Sequence, residues 1–200
     1  MQLIDRVQRK IGKRWYALMP TEKLVALVSN TESAKSASVM IETLKERLAH
    51  QDGSLDHVDW SSAALTGALL SSCQMQNARL SCGKLRGAYF GYSDLRRADF
   101  RLADLREAHF RDARLDQSNF DRAKLDGANF ARAELTRVSF AGANLTNANF
   151  WGADIRGANF SGASMVDCNI AEVIVDETTI MPSGEPYSES ARWNRFTAAK

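Results

Sequence analysis

One feature constrains this chain more than any other. An apolar residue recurs every five positions from Trp60 to Ile180, through Leu65, Leu70, Met75 and Leu80 to Phe160, Met165, Ile170 and Val175, at all 25 positions. Two residues before each stands a small or β-branched side chain, from Val58 and Ala63 to Cys168, Val173 and Thr178, and sixteen of these 25 are Ala. The other three positions hold mostly Asp, Asn, Arg, Gly, Ser and Thr. A period of five is neither the 3.6 of an amphipathic helix nor the 2 of a strand. It places two of every five side chains inside and then turns the chain through a corner. The large residue fills the middle of a side, and the small one sits where space is tight. A coiled coil or an alternating sandwich strand gives no such pattern.

The triplets Ala98-Asp99-Phe100, Ala128-Asn129-Phe130, Ala143-Asn144-Leu145 and Ala148-Asn149-Phe150 resemble the A-(D/N)-(L/F)-X-X signature of the pentapeptide-repeat family, and the resemblance runs without a gap over about residues 56–180. It implies an all-β solenoid, a right-handed quadrilateral β-helix with four pentads per coil. About six coils, stacked at the strand-pairing distance of about 4.8 Å, make a rod roughly 30 Å long. From Leu85 to Phe160 the central residue alternates between aliphatic and Phe. With four pentads per coil, Phe90, Phe110, Phe130 and Phe150 stack on one side, and Phe100, Phe120, Phe140 and Phe160 on the opposite side. These rings are therefore read as core. Such a stack has open ends that need covers.

Residues 1–55 lack the period. Leu3, Val7, Ile11, Trp15 and Leu18 recur at helical spacing among Arg6, Arg9, Lys10, Lys13 and Arg14. The reading is a basic amphipathic helix over residues 1–18, suited to a membrane surface or a partner. Pro20-Thr21-Glu22 starts a second helix, and a third spans about residues 34–49 with Met40, Ile41, Leu44 and Leu48 on one face. This helical N-terminal segment either caps the first coil or binds a partner. Residues 51–54 read as a turn into the solenoid. Beyond Ile180, Pro182 and Pro186 end the repeat. Trp193 and Phe196, on a short C-terminal helix or tail over residues 181–200, either cover the last coil or make a homodimer contact, as the family resemblance allows.

The outward positions bear on function. The whole chain carries 26 basic and 24 acidic residues, and residues 56–180 carry 14 and 16. Some pentapeptide-repeat proteins protect gyrase by imitating duplex DNA, which requires a sustained negative field. The balanced charge here argues against that role and against a nucleic-acid partner. Residues twenty apart should sit above one another, which pairs Arg96 with Asp116, Arg101 with Asp121 and Arg106 with Asp126. Signs alternate in Lys84, Asp104, Lys124 and in Asp94, Arg114, Glu134. An offset of fifteen also brings mostly opposite charges together, so the charges alone do not fix four pentads per coil.

No Ser-His-Asp, Cys-His or metal-spaced cluster is apparent among His50, His57, His109 and the three cysteines, and no phosphate-binding loop is present. The expectation is a non-enzymatic protein without cofactor or metal, cytoplasmic, with reduced thiols and no secretory leader or membrane span. It is read as an interaction or scaffold module for a protein partner. The candidate contact residues are the bulky outward side chains Tyr89, Tyr92, Leu102, His109 and Trp151, with Trp15 and Trp193 in the flanking segments.

Overall fold

The computed structural model describes residues 21–30, 34–49 and 54–188. The helix read over residues 1–18, the turn at residues 51–53 and the terminal helix bearing Trp193 and Phe196 lie outside the described residues.

From Asp59 onward, the residue just before each central apolar side chain forms a parallel β-bridge with the residue twenty positions later, as in Asp59 with Arg79, Tyr89 with His109 and Asn129 with Asn149. Twenty residues are four pentads, so each turn of the chain has four sides. Within a side the hydrogen bonding repeats. The amide of Phe110 donates to the Asn129 carbonyl at 2.7 Å, and the amide of Asn129 donates to the Ala108 carbonyl at 2.9 Å. At each corner the amide of the next small residue donates back to the central carbonyl, as Ala113 does to Phe110 at 3.0 Å. The second corner residue lies at positive φ at every step from His57 to Glu172, seventeen times without being glycine. This left-handed residue turns the chain, and the Cβ penalty of about 1 kcal/mol each is set against a full backbone ladder.

The inward side chains fill the axis. Central residues from Trp60 to Met165 are essentially inaccessible, as are the alanines beside them. Phe90, Phe110, Phe130 and Phe150 stack with centroids 4.9–5.1 Å apart and planes within 10°. Phe100, Phe120, Phe140 and Phe160 stack likewise at 4.7–5.2 Å, with planes within 17°. The two columns meet edge to face across the axis, at 5.7 Å for Phe90 with Phe100 and 5.6 Å for Phe110 with Phe120. Each ring thus has both favourable aromatic geometries in a dry environment.

The period slips at its end. The expected centre Ile180 and its small partner Thr178 are both displaced by one residue. Ile180 bridges Asn159 at an offset of 21, Thr179 is fully buried, and Met181 fills the centre. Asp176 makes room for the extra residue. Its carboxylate accepts from the Thr178 amide at 3.0 Å and the Thr178 hydroxyl at 2.6 Å, and the Thr179 hydroxyl donates to the Ile155 carbonyl at 3.1 Å. The prolines do not stop pairing at once. The Pro182 carbonyl still accepts from Gly162 at 2.9 Å, and the chain then turns back so that Pro186 pairs antiparallel with Ile180.

Two helices precede the solenoid: α1 (Thr21–Ser29) and α2 (Ala34–Ala49). Leu24 and Val28 of α1 and Ala37, Met40, Ile41 and Leu44 of α2 are buried in one cluster with Leu55, Trp60 and Leu65. Trp60 Nε1 donates to the Val25 carbonyl at 3.1 Å. Lys45 Nζ donates to the carbonyls of Ser71 at 2.8 Å and Leu69 at 3.3 Å. Both carbonyls lie on the exposed edge of the first turn, where no earlier coil can donate to them.

Phe110→Ala removes one ring from the middle of a column and leaves a cavity that the backbone ladder prevents from closing. Urea denaturation is expected to show a loss of about 3–5 kcal/mol.

Candidate functional site

The ladder decides which side chains reach solvent. The residue before the centre stands outward on the bridge, and the two after it form the corner. Five sequence-predicted contact residues fall among the described residues. Four of them belong to one side of the rod, the side backed by Leu70, Phe90, Phe110, Phe130 and Phe150. Tyr89 and His109 are consecutive in its central column and stack with centroids 4.5 Å apart and planes 16° from parallel. Tyr92 stands at its corner, and Trp151 follows Phe150. Leu102 follows Phe100 and so stands on the opposite side. Trp15 and Trp193 lie outside the described residues.

The same column holds a residue that sequence reasoning missed. Leu69 bridges Tyr89. Leu69 is 62% exposed, Tyr89 43%, Tyr92 64%, Trp151 37% and Leu102 57%. Leu69 was hidden beside Leu70, which the period claims for the core. The available signal was charge. Like residues 138–153 further along the rod, residues 61–77 and residues 87–93 contain no Asp, Glu, Lys or Arg. Folded four pentads to a turn, these two stretches lie against one another. They make an uncharged surface of Leu69, Ser71, Ser72, Tyr89, Gly91 and Tyr92. The ammonium of Lys45 at its margin is engaged by the Leu69 and Ser71 carbonyls. Further along, Asn129, Asn149 and Asn169 continue the column as an amide ladder, with Asn169 Nδ2 donating to Asn149 Oδ1 at 2.9 Å.

Over the middle turns the surface carries paired charge, but not in the expected pairs. Arg96, Arg101 and Arg106 do not bond Asp116, Asp121 and Asp126. Each instead clamps the Asp two residues before it. Arg101 Nε and Nη2 reach the two oxygens of Asp99 at 2.9 and 2.7 Å, and Arg106 and Arg96 hold Asp104 and Asp94 in the same way. Arg156 repeats the clamp on Asp154. The two residues flank one central side chain and both point outward, so the local bidentate pair forms without bending either chain. Coil-to-coil pairs do form at other positions. Arg132 holds Asp112 through two bonds of 2.7 Å, and Arg114 reaches both Asp94 and Glu134 at 3.3 Å.

Hydrogen bonds from Arg101, Arg106 and Arg156 hold the carboxyls of Asp99, Asp104 and Asp154 below the usual range. Burial acts the other way on Asp94, but the bonds from Arg96 and the field of Arg114 outweigh it, so its pKa is lowered too.

All three cysteines are free; Cys73 and Cys168 are buried and Cys82 is exposed. Burial pushes Cys168 up to about 12 and raises Cys73 as well, the latter against the pull of Lys45. Among the described residues no three His, Cys, Asp or Glu side chains gather into a metal-binding set, and no helix is long and apolar enough to cross a membrane.

Two family models match the chain: pentapeptide repeats, in eight copies, over residues 117–152 and 133–172, and a pentapeptide repeat region over residues 53–130. Among solved structures, the chain is similar to a pentapeptide repeat protein from the Arabidopsis thaliana thylakoid lumen, at 32% identity over 44% of this chain and 68% of that one, with a TM-score of 0.38. It is similar to QnrB1, a plasmid-mediated fluoroquinolone resistance protein, at 25% identity over 60% and 78%, with a TM-score of 0.35. A pentapeptide repeat protein from Nostoc Pcc 7120 matches at 21% identity over 74% and 95%, with a TM-score of 0.34. No curated protein matches the chain.

Two outcomes follow from this chemistry. A thiol-alkylating reagent at pH 8 is expected to modify Cys82 alone in the native protein, with Cys73 and Cys168 reacting only after denaturation; peptide mass spectrometry reads the sites. The acid limb of stability is set by the clamped carboxylates. Their folded pKa values lie below the unfolded value of about 3.9, so their contribution is present above about pH 4 and is lost as pH falls through the folded values. Thermal melts should be insensitive to pH between about 5 and 7 and fall below about pH 4. Substituting Asp99, Asp104 and Asp154 together with Asn should flatten that fall.

Proposed function

Because the chain belongs to the pentapeptide-repeat family, with the right-handed β-helix that membership implies, we propose that it is a non-catalytic docking rod of about six coils. Its uncharged face, Leu69, Tyr89 and Tyr92, receives a protein partner. The observation that carries this reading is the placement of these exposed apolar side chains together on the first two turns of one side, where no outward neighbour on that side is charged. Exposed tyrosines on a fixed backbone bury large areas at small entropic cost, which makes them strong anchors, and contiguous apolar surface marks an interaction site. Trp151 and His109 extend the contact along the same side.

In this reading the chain divides into a helical segment over residues 1–55, a solenoid over residues 56–180 and a tail over residues 181–200. Helices α1 and α2 serve as the lid of the first coil: their apolar faces join its core, and Lys45 satisfies two carbonyls of its edge. Three free thiols support a reducing compartment, the cytoplasm. A topoisomerase-binding rod that stands in for duplex DNA is the weaker reading, because 14 basic and 16 acidic residues over positions 56–180 generate no sustained negative field.

The test is affinity purification from the native cell with the wild-type protein, a Leu69→Ala/Tyr89→Ala/Tyr92→Ala variant and a Leu102→Ala control on the opposite side. The face variant should melt like the wild type and lose a partner that the other two retain. Losing a hot spot of about 2 kcal/mol corresponds to roughly 30-fold weaker binding. Equal recovery by the face variant, or equal loss with Leu102→Ala, overturns the assignment. Inhibition of gyrase supercoiling by the purified protein would favour the topoisomerase reading instead.

A further inference from the structure

The two ends of the solenoid differ. The first turn is covered by α1 and α2. The last is not covered by any described residue. There, the amides of Met165, Asp167, Ile170 and Glu172 have no backbone acceptor among the described residues, although the corresponding amides one turn earlier, Leu145, Asn147, Phe150 and Gly152, each have one. Ile170, Val173 and Val175 are only partly buried, unlike the equivalent residues within the stack. An apolar platform fringed with amides that no described backbone carbonyl meets is suited to association with a further segment.

Its rim has a single sign. Residues 157–188 contain Asp167, Glu172, Asp176, Glu177 and Glu185 and no Lys or Arg, whereas the middle of the rod mixes both signs at every level. Asp167 and Glu172 are exposed at corners of the last turn. The segment that follows has the opposite character. Residues 189–200 carry Arg192, Arg195 and Lys200 against one Glu189, with Trp193 and Phe196 three residues apart.

The chain also leaves the fold at this end. Pro186 pairs antiparallel with Ile180, and the Tyr187 amide donates to the Thr179 carbonyl at 2.7 Å, so the backbone at Tyr187 runs along the outer edge of the last turn. Twelve more residues, about 18 Å of helix or roughly 40 Å if extended, suffice to lie across a four-sided coil.

We propose that the last turn is a docking platform for a basic, aromatic segment, and that residues 189–200 of the same chain occupy it. Trp193 and Phe196 seat on Ile170, Val173 and Val175, and Arg192 and Arg195 pair with the acidic rim. The tether favours this occupant. A short linker holds the tail at an effective concentration of about a millimolar, above the level at which a second copy competes in dilute solution. Docking closes the edge and keeps the rod from adding to another end to end.

A charge swap in the full-length chain tests this independently of the uncharged face. The chain is labelled with 5-fluorotryptophan, the Trp193 resonance is assigned with Trp193→Phe, and its exposure is read from the solvent isotope shift and acrylamide broadening. The mass in solution is measured alongside. In the wild type Trp193 should be shielded and the protein monomeric. Arg192→Glu/Arg195→Glu should expose Trp193, as should Asp167→Arg/Glu172→Arg, and combining the two pairs should restore shielding. Trp151, on a side of the rod rather than its end, should not change in any variant, which separates undocking from unfolding. A wild-type Trp193 as exposed as in the variants overturns the proposal. A dimer that dissociates on either charge reversal also overturns it, in favour of a second copy on the platform.

Discussion

The twenty-residue register of the parallel ladder is the constraint on which this structure depends. Each backbone bond between turns ties a residue to the one twenty positions away, so like positions always face like positions. Once that register holds, the side chains have no freedom in choosing neighbours. A Phe every tenth residue becomes two continuous columns, and the columns meet edge to face because the rod is two pentad-sides wide. The alanines are required by the same geometry: the small residue sits beside the corner, where the chain is bending and the axis has least room. No single turn is stable by itself, since half of its hydrogen bonds belong to its neighbours.

The register was legible wherever the period was uninterrupted. The period of five by itself gave inside and outside, and the family signature gave four sides; the bridges agree with both. The slip at the end was not legible, because Ile180 is apolar and keeps the count by accident. Only the carboxylate of Asp176, folding the chain around its own side chain, and the hydroxyl of Thr179, which finds the Ile155 carbonyl, reveal the extra residue. The arginine pairs were misread for a related reason. A column argument treats outward residues as neighbours only between turns. Arg96, Arg101 and Arg106 also have a carboxylate two positions earlier on their own side, and a local clamp reaches it with two bonds. Arg111, with His109 two positions before it, reaches the adjacent Asp112 instead, and Arg132, at the second corner position, uses its column partner Asp112.

The ends follow from the same ladder. A stack of turns always leaves carbonyls unpaired at one end and amides at the other, so the two ends need different covers. The carbonyl end is met by donors: the ammonium of Lys45, while the Trp60 indole ties the first turn to α1. The amide end is lined with carboxylates, which reinforce the demand for a positively charged cover rather than satisfy the edge.

The outward positions carry the functional information because the fold asks little of them. Two of five residues build the core, and the corner asks only for a backbone that tolerates positive φ, which Gly or Asn meets at least cost. Tyr92 stands at such a corner with φ of 60° and is mostly exposed. Its ring adds nothing to the axis, and its backbone conformation is one that an aromatic residue adopts at a cost. Leu69, likewise, points away from a core already filled by Leu70. Neither side chain fills the axis, and the Tyr92 hydroxyl instead bonds the Asp112 carboxylate one turn on. Their neighbours on the first turns, Ser71, Ser72, Tyr89 and Gly91, are uncharged too, so no ion has to be desolvated where this surface is covered.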